Sequence, residues 1–375
     1  MRRRHDVTRP RDDRTSVVLV VEQLRRAVPG GIGTYTRGLL QGIASNGDAA
    51  IDVVLHASRA PRGGRDPLAS WSHRVVTSPL PSRLLTRAWD RGLLPAPAGD
   101  VVHATSLAFP SARGRPLSVL VHDLAWRDVP EAYPPRGHRW HEAALGRAIE
   151  TARALVAPSR AVADRLVGAG ARAAGVHVIE EGCDHLPAAD LAAADAALAK
   201  LGKSTAQGFL LTVSTLEPRK NLRRLLEAYE MARPDLAEPW PLVVVGPEGW
   251  GDAISPGDVP HGVLLAGTVD DATLAGLYRR CRCLAYVPLV EGFGLPPVEA
   301  MRECAPVVAS PIPSTQGAAL EVDPLDPRAI AAALVSASSD DRVRSELVTA
   351  GLLRARELTW ESAAERHVEL WRSLA

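Results

Sequence analysis

The stretch from residue 283 to residue 300, CLAYVPLVEGFGLPPVEA, predicts a strand, a glycine-containing loop and a helix in that order. Residues 283–287 form a short run that is apolar throughout, which is typical of a strand in a parallel sheet covered on both faces. Pro296 and Pro297 favour the first positions of a helix. The backbone amides of Gly294 and Leu295 should therefore be free at a helix start, where they can bind an anion.

Apolar runs of the same kind recur along the whole chain, separated by amphipathic helical patterns. In the first half they are residues 17–21, 51–55, 101–103, 118–122, 155–157 and 176–179, and in the second half residues 209–213, 242–245, 263–266, 283–287 and 307–309. Two such sets predict an α/β fold with two doubly wound parallel-sheet (Rossmann-like) domains. Ligands of such sheets bind beyond the carboxyl ends of the strands, so the loops there are the candidate sites.

The expected hinge is an alanine-rich stretch at residues 187–207 that ends in polar residues. The chain then divides into a disordered basic arm (1–16), a first domain (17–190), an interdomain linker (191–207), a second domain (208–356) and a C-terminal helix (357–375). That helix carries Ala364, Val368 and Trp371 along one stripe, so it needs a surface to cover. We expect it to cross back onto the first domain.

The charge of the chain is almost balanced, with 44 Lys and Arg residues against 43 Asp and Glu residues in a length of 375. This balance argues against a protein that coats nucleic acid or another polyanion. Only three of the cations are lysines, at positions 200, 203 and 220. Because lysine is so scarce here, a lysine in a candidate loop is informative.

The cysteine content indicates the cellular compartment. The chain has four cysteines at irregular positions, which are too few for a disulfide framework and favour a reduced, cytoplasmic setting. No window approaches the ~18 apolar residues that cross a bilayer. The arm at residues 1–16 carries six arginines and no apolar stretch, so we do not interpret it as a signal peptide. It fits either a solvated tail or a peripheral contact with an anionic membrane surface.

The loop at residues 214–221, STLEPRKN, follows a predicted strand and precedes a predicted helix, with Asn221 as the expected N-cap. Arg219 and Lys220 stand at a helix N-terminus, where cations have the wrong sign for the helix dipole. They are favourable there if an anion also binds. An ammonium and a guanidinium together suit a phosphate or diphosphate, whereas the alternative is a pair of solvated surface cations.

A glycine cluster, Gly30-Gly31-Ile32-Gly33, precedes the helix predicted from Thr34 to Ala44. Glycines allow backbone amides to approach an anion closely at a helix start. The cluster is not a dinucleotide fingerprint, because the spacing that starts at Gly31 requires glycine where Thr36 stands. On this motif alone, a flexible surface loop is an equal alternative.

Two carboxylates, Glu291 and Glu299, flank the predicted phosphate-binding loop at residues 292–295. Carboxylates repel phosphates, so these two suit hydroxyl groups instead, one set on a sugar and the other on a ribose. Taken alone, Glu299 would also be explained by stabilisation of the helix dipole in the first turn.

The Glu291…Glu299 spacing, the Glu217-Pro218-Arg219-Lys220-Asn221 loop and the Gly30–Gly33 cluster together resemble the retaining glycosyltransferases of family 4 (group 1). The resemblance extends from about Val17 to Trp371. It implies the GT-B fold, in which two Rossmann-like domains face a cleft. His122-Asp123-Leu124-Ala125-Trp126 and Glu131-Ala132-Tyr133-Pro134 are most similar to bacterial mannosyltransferases of polysaccharide or glycolipid assembly.

The resemblance implies that the second domain binds a nucleotide-sugar donor and the first an acceptor. It implies catalytic roles for His122 near the anomeric carbon, Glu291 on the sugar hydroxyls, and Lys220 and Arg219 on the departing diphosphate. It also implies a set of donor-binding residues: Gly31, Gly33, Thr215, Val269, Asp271, Gly292, Phe293, Gly294, Leu295 and Glu299. Many family members have an arginine where Thr215 stands, so fewer cations are available for the diphosphate here.

The base and the acceptor are less constrained. In related guanine-using enzymes an aspartate in the loop matching residues 267–271 contacts the base, which favours GDP-mannose over a UDP-sugar. Alternatively, Asp270 and Asp271 simply cap the following helix. Because the donor fills the second domain, we expect a glycan, glycolipid or small-molecule acceptor to bind on the first domain, near Trp126, Tyr133 and Arg139.

The resemblance implies no cofactor besides the donor as co-substrate, and the chain contains no Asp-x-Asp motif for a divalent metal, so we expect a metal-independent hexosyltransferase. Alternative hypotheses are a UDP-sugar-dependent transferase, a same-fold nucleotide-sugar epimerase or phosphorylase, and a two-lobed sugar-nucleotide-binding protein without catalysis. A pyridoxal-type phosphorylase needs a dedicated lysine, and three lysines leave almost no candidate.

Overall fold

A computed structural model describes residues 14–47, 50–63, 65–202, 205, 207–249 and 259–375. The expected disordered arm therefore lies outside the described residues except for positions 14–16. The first strand begins at Thr15, two residues before the start expected from the apolar run.

The first domain is built on a parallel sheet. Its described strands are β1 (Thr15–Val20), β2 (Ile51–Ala57), β3 (Arg74–Thr77), β4 (Val101–Ala104), β5 (Leu117–Leu120), β6 (Ala154–Ala157) and β7 (Val176–Val178). Its described helices are α1 (Gly30–Asn46), α2 (Ser82–Asp90), α3 (Ala125–Asp128), α4 (Pro135–Thr151) and α5 (Arg160–Gly168). The strand order is β3-β2-β1-β4-β5-β6-β7, and the central strands β4, β5 and β6 are buried along their whole length.

The second domain repeats this plan. Its described strands are β8 (Leu210–Val213), β9 (Leu242–Val245), β10 (Val263–Gly267), β11 (Cys283–Tyr286), β12 (Val307–Ala309) and β13 (Leu320–Glu321), in the order β10-β9-β8-β11-β12-β13. Its described helices are α6 (Leu191–Leu201), α7 (Leu222–Ala232), α8 (Asp271–Arg280), α9 (Leu295–Arg302), α10 (Pro327–Ser339) and α11 (Asp341–Glu357).

Each sheet has one point where the strand order reverses direction, between β1 and β4 in the first domain and between β8 and β11 in the second. Parallel strands end at the same edge of a sheet, and the loops that leave the two strands at such a point diverge and open a crevice. In the second domain these are the loops at residues 214–221 and 287–294. The fold therefore brings together the two loops that carry the predicted diphosphate-binding residues.

The stretch predicted as a linker contains helix α6, and this helix packs on α8 of the second domain. The amide of Asp190 donates a 3.0 Å hydrogen bond to the carbonyl of Ala272, and a Cβ at Gly276 would overlap the Asp190 carbonyl and Ala194. Residues 190–201 thus belong structurally to the second domain. The passage between domains lies earlier, at residues 179–189.

The last helix, α12 (Trp360–Leu374), packs on α1 of the first domain. Close approach is possible because Gly38 and Gly42 leave no side chain between the helices, and a Cβ at either position would overlap Trp360. The Tyr35 hydroxyl also lies 2.7 Å from His367 Nε2. Of the helices that the structure describes, none combines the length and apolar character needed to span a membrane.

Candidate active site

A buried charge cluster lies where the loops after β8 and β11 meet. Lys220 Nζ is 2.6 Å from Glu291 Oε2, and Arg219 Nη1 is 3.1 Å from Glu291 Oε1. The Tyr286 hydroxyl donates to the same Glu291 Oε2 at 2.7 Å. Glu217 Oε1 accepts from Arg219 Nη2 at 2.8 Å. The structure thus brings together three predicted site residues, Arg219, Lys220 and Glu291.

The electrostatics of the cluster keep Glu291 ionised. Burial by itself raises the pKa of this carboxyl, but the neighbouring charges of Lys220 and Arg219 outweigh burial and lower its pKa to about 2. Burial and Arg219 lower the pKa of Lys220, which Glu291 opposes. Burial and then Glu291 raise the pKa of the Tyr286 hydroxyl, so it remains a donor.

The cluster contains two cations and two carboxylates, so it is neutral overall in this structure. From the sequence we interpreted the two cations Arg219 and Lys220 as the anion-binding groups and gave no role to Glu217, whose charge balances one of them. The Nε atom of Arg219 is nevertheless buried without a hydrogen-bond partner. One donor of the guanidinium is therefore unpaired, although it is closed to solvent in this conformation.

Asn221 occupies the N-cap position of α7 but does not cap the helix with its side chain. Its φ is +58°, and its side-chain nitrogen Nδ2 donates to the carbonyls of Val287 and Pro324 at 3.0 and 2.8 Å. Asparagine tolerates this left-handed conformation better than most residues. The expected cap is therefore a tether, which joins the Arg219–Lys220 turn to the loop after β11.

The second predicted carboxylate, Glu299, lies on α9 and is 6% exposed. The Tyr278 hydroxyl donates to its Oε2 at 2.8 Å, and His185 Nε2 lies 3.1 Å from its Oε1. Each carboxylate oxygen can accept more than one hydrogen bond, so both oxygens retain capacity for a ligand hydroxyl.

The start of α9 follows the sequence prediction, with Pro296 and Pro297 in its first turn. Gly294 precedes the helix with φ +101°, a conformation that side chains rarely adopt, and Ser314 Oγ donates to its carbonyl at 2.7 Å. Phe293 and Leu295 are buried in the core, so only their backbones can meet a ligand. The loop is thus anchored by one hydrogen bond and by two buried side chains.

The first domain closes against this loop at His122, which follows β5. A Cβ at Gly292 would overlap the carbonyl oxygen of His122, and Ser159 Oγ donates to the carbonyl of Gly292 at 2.7 Å. His122 is oriented from both sides, since Nε2 lies 3.0 Å from the Thr105 carbonyl oxygen and Nδ1 lies 3.5 Å from Glu181 Oε1. The backbone of His122 thus lies against the loop that carries Glu291 and Gly292, at the junction of the domains, while its imidazole is held between Thr105 and Glu181.

The glycine cluster is not a loop, because α1 already begins at Gly30. Gly31 is exposed with open space beside it, whereas Gly33 packs tightly against Pro29. The helix starts earlier than predicted because Pro29 and the left-handed Gly30 (φ +58°) turn the chain into it. The amides of Gly31 and Gly33 are therefore first-turn amides, and that of Gly33 already bonds the Pro29 carbonyl at 3.1 Å.

The remaining donor-side residues lie at the rim of the second domain. Thr215 follows β8 and is half-buried. Val269 is half-buried against the core, and Asp271 is exposed in the first turn of α8. Asp270 caps that helix, accepting from the Thr273 amide at 2.9 Å and the Thr273 hydroxyl at 2.7 Å.

The acceptor-side residues differ among themselves. Trp126 is 2% exposed, stacks on His141 and donates its indole N–H to Glu142. Its side chain therefore has no face toward a ligand, and the acceptor contact predicted for it is not supported.

Tyr133 is half-buried, and burial and then Asp123 raise the pKa of its hydroxyl, with Arg219 opposing. Its hydroxyl is thus close enough to Arg219 of the second domain for the charge of Arg219 to affect it. Arg139 is exposed on α4.

Five partners of the site were not predicted from the sequence: Glu217, Tyr286, Tyr278, His185 and Glu181. Glu217 and Tyr286 stand in or beside the quoted loops, and a tyrosine at the end of a strand that precedes such a loop is a usable signal. His185 and Glu181 lie in the passage between domains, where no local pattern points to a site.

Two family models match the chain. The model for Glycosyltransferase Family 4 matches residues 29–185, and the model for Glycosyl transferases group 1 matches residues 194–351. Among curated proteins, O-antigen chain mannosyltransferase B of Escherichia coli is 29% identical over 294 residues, which cover 73% of this chain and 74% of that protein. The serotype-specific mannosyltransferase WbdA of Escherichia coli is 31% identical over 172 residues, or 43% of this chain and 21% of that protein.

Solved structures share the fold at low sequence identity. HepE of Anabaena, in complex with UDP and glucose, superposes with a TM-score of 0.70 at 18% identity, covering 96% of this chain and 100% of that one. Sucrose-phosphate synthase from Thermosynechococcus elongatus gives a TM-score of 0.69 at 19% identity, covering 96% and 99%. At these identities the likeness concerns the fold.

Proposed function

Because the two matched models together account for most of the chain, it belongs to the group 1 and family 4 glycosyltransferases and has the GT-B fold, and we propose that it is a retaining hexosyltransferase. In this proposal it transfers mannose from GDP-mannose to a glycan, glycolipid or small-molecule acceptor. The observation that carries it is the Arg219–Lys220–Glu291 cluster at the reversal point of the second sheet, beside His122 of the first domain.

In the proposed reaction the bond between the anomeric carbon and the diphosphate oxygen breaks, and its electron pair stays on the diphosphate. The acceptor hydroxyl oxygen bonds to the same face of the carbon, and its proton passes to the leaving phosphate. Negative charge grows on the diphosphate, so fixed donors there lower the barrier. Lys220 and the guanidinium of Arg219 supply such donors in this proposal, together with the amides at the start of α9.

The carboxylates have separate tasks in this proposal. Glu291 accepts from hydroxyls of the transferred sugar and is kept ionised for that task by Lys220 and Arg219. Glu299 accepts from the ribose hydroxyls. His122 lies beside the anomeric carbon, held by Thr105 and Glu181.

The choice of mannose is supported by the mannosyltransferase relatives, and that of guanine by the exposed Asp271 at the start of α8. Asp270 is engaged as a helix cap, so Asp271 is the carboxylate offered to a base. A UDP-sugar is the second candidate, since HepE holds UDP on the same fold.

We further propose a metal-independent reaction in the cytoplasm at the inner face of a membrane, with Tyr133 and Arg139 on the acceptor side. Membrane contact is supported by α2 and the residues after it, which expose Arg83, Arg87 and Arg91 beside Leu84 and Leu93. Such arginines attract anionic lipids, and the leucines can enter the headgroup layer.

The proposal is tested by incubating the protein with GDP-mannose, UDP-glucose, UDP-galactose and UDP-N-acetylglucosamine and following slow hydrolysis by proton NMR. We expect GDP-mannose to be consumed fastest and α-mannose to appear first, as retention requires. Release of β-mannose first would contradict retention. Hydrolysis of a UDP-sugar faster than GDP-mannose would identify that UDP-sugar as the donor instead. Activity lost in a chelator and restored by magnesium would contradict metal independence. Binding of no donor would overturn the proposal itself.

A further inference from the structure

The carboxylate of Glu299 is bound by a histidine from outside its own domain. His185 lies in the passage between domains, and its Nε2 is 3.1 Å from Glu299 Oε1; both side chains are 7% exposed. A buried carboxylate requires hydrogen-bond donors, and the other oxygen is satisfied by Tyr278. His185 is therefore one of the two side chains, with Tyr278, that hold the Glu299 carboxylate in place.

The direction of the hydrogen bonds follows from the third member of the chain. Trp360 Nε1 lies 3.1 Å from His185 Nδ1, and an indole N–H only donates. Nδ1 must then accept, so the single proton of a neutral imidazole resides on Nε2. This is the atom that faces Glu299. Trp360 thereby selects the one tautomer of His185 that donates to the carboxylate.

Trp360 is in turn positioned by α1 of the first domain and by the passage between domains. A Cβ at Gly38, Gly42 or Gly182 would overlap its ring or backbone, and its amide donates to Asp184 Oδ1 at 2.8 Å. The chain Trp360→His185→Glu299 thus runs from the helix docked on the first domain to the second domain's carboxylate.

We propose that His185 is a positioning residue of the donor site, which orients Glu299 toward the ribose and makes that orientation depend on docking of α12 onto α1. This rests on the proposed function, in which Glu299 accepts from ribose hydroxyls. His185 and Tyr278 each donate a hydrogen bond to one oxygen of the Glu299 carboxylate. These two bonds fix the orientation of the carboxylate and therefore the direction from which a ribose hydroxyl can donate to it.

Two substitutions at His185 separate its two bonds. His185→Gln places an amide N–H near the position of Nε2 and keeps a donor for Glu299. His185→Asn keeps an acceptor for Trp360 near Nδ1 but has no atom that reaches Glu299. His261→Asn, at an exposed position, is the matched control.

The measurement is calorimetric titration with GDP and with 2′,3′-dideoxy-GDP. We expect His185→Asn to weaken GDP binding about tenfold, the scale of one lost hydrogen bond to a charged group, and to leave dideoxy-GDP binding unchanged. The affinity of His185→Gln for both nucleotides should stay within about threefold of that of the parent protein, because the glutamine N–H replaces the lost donor. Equal losses for both nucleotides would mean a merely structural role and overturn the inference, as would no loss at all.

Failure of the proposed function gives a different result, since the parent protein would then bind neither nucleotide. A second experiment needs no variant of His185. In nitrogen NMR of the parent protein we expect the His185 imidazole to carry a proton on Nε2 and none on Nδ1. Trp360→Phe keeps the aromatic ring but removes the donor, and should relax this tautomer preference. A proton on Nδ1 in the parent protein would overturn the inference.

Discussion

No side chain fits at Gly292 against the carbonyl oxygen of His122, although the two residues belong to different domains. The backbone of Gly292 lies outside the left-handed region, so glycine is required there by proximity and not by conformation. Ser159 adds a hydrogen bond to the Gly292 carbonyl from the same side. The loop that carries Glu291 therefore lies directly against the loop that carries His122.

Gly292→Ala should keep the domains apart at this point. We expect transfer to fall about 100-fold, as misplacement of reacting groups by about 1 Å can cause. GDP affinity should fall much less, because the proposed diphosphate and ribose contacts of Lys220 and Glu299 lie within the second domain. Steady-state kinetics and calorimetry measure the two quantities. Gly146→Ala, at an exposed helical position with open space, is the control. Equal activity in both variants would contradict the role of this contact.

Lys220→Met should lower kcat more than it raises KM, because the ammonium acts on charge that grows as the diphosphate leaves. A loss of about 100-fold in kcat is typical of removing one such donor. The aliphatic stem is retained, so packing against Tyr286 is preserved as far as possible. Lys200→Met, at an exposed position on α6, is the matched lysine control. An unchanged kcat would refute the assigned role.

The stability of the fold should depend on the ionisation of Glu291. Lys220 and Arg219 overcome the effect of burial and lower its pKa to about 2 from an ordinary 4.5, so the folded state favours the carboxylate. The stabilisation is fully present above pH 4.5 and is lost as the pH falls toward 2. In thermal unfolding, the difference in Tm between the parent protein and Glu291→Gln should shrink over this window. A difference that stays constant from neutral to acid pH would contradict the assignment.

The fold class and the family resemblance predicted from the sequence are confirmed, because both depend on local periodicity and on motifs within single loops. Short apolar runs correctly predicted the parallel strands, and the Pro296-Pro297 pair correctly predicted the start of α9. The glycine cluster was misjudged because Pro29 and Gly30 extend the helix backwards, and glycine spacing does not distinguish a loop from a first turn.

The partners of the site residues could not be predicted for a different reason. His185 and Trp360 are separated by 175 positions, and Lys220 and Glu291 by 71, so no local pattern records their contact. Trp126 illustrates the converse, since its place in a motif suggested a ligand contact although the core of the first domain encloses it.

Docking of the last helix should depend on the glycines of α1 opposite Trp360. Replacing a helical glycine by alanine ordinarily stabilises a protein by roughly 0.5–1 kcal/mol, and Gly146→Ala on α4 should do so. At Gly42 the new Cβ would overlap the carbonyl oxygen of Trp360, a backbone atom that cannot move without moving α12. We expect Gly42→Ala to lower the free energy of unfolding by about 1–3 kcal/mol, as overpacking does. Urea unfolding of both variants measures the sign, and a Gly42→Ala protein as stable as Gly146→Ala would show that α12 is not fixed there.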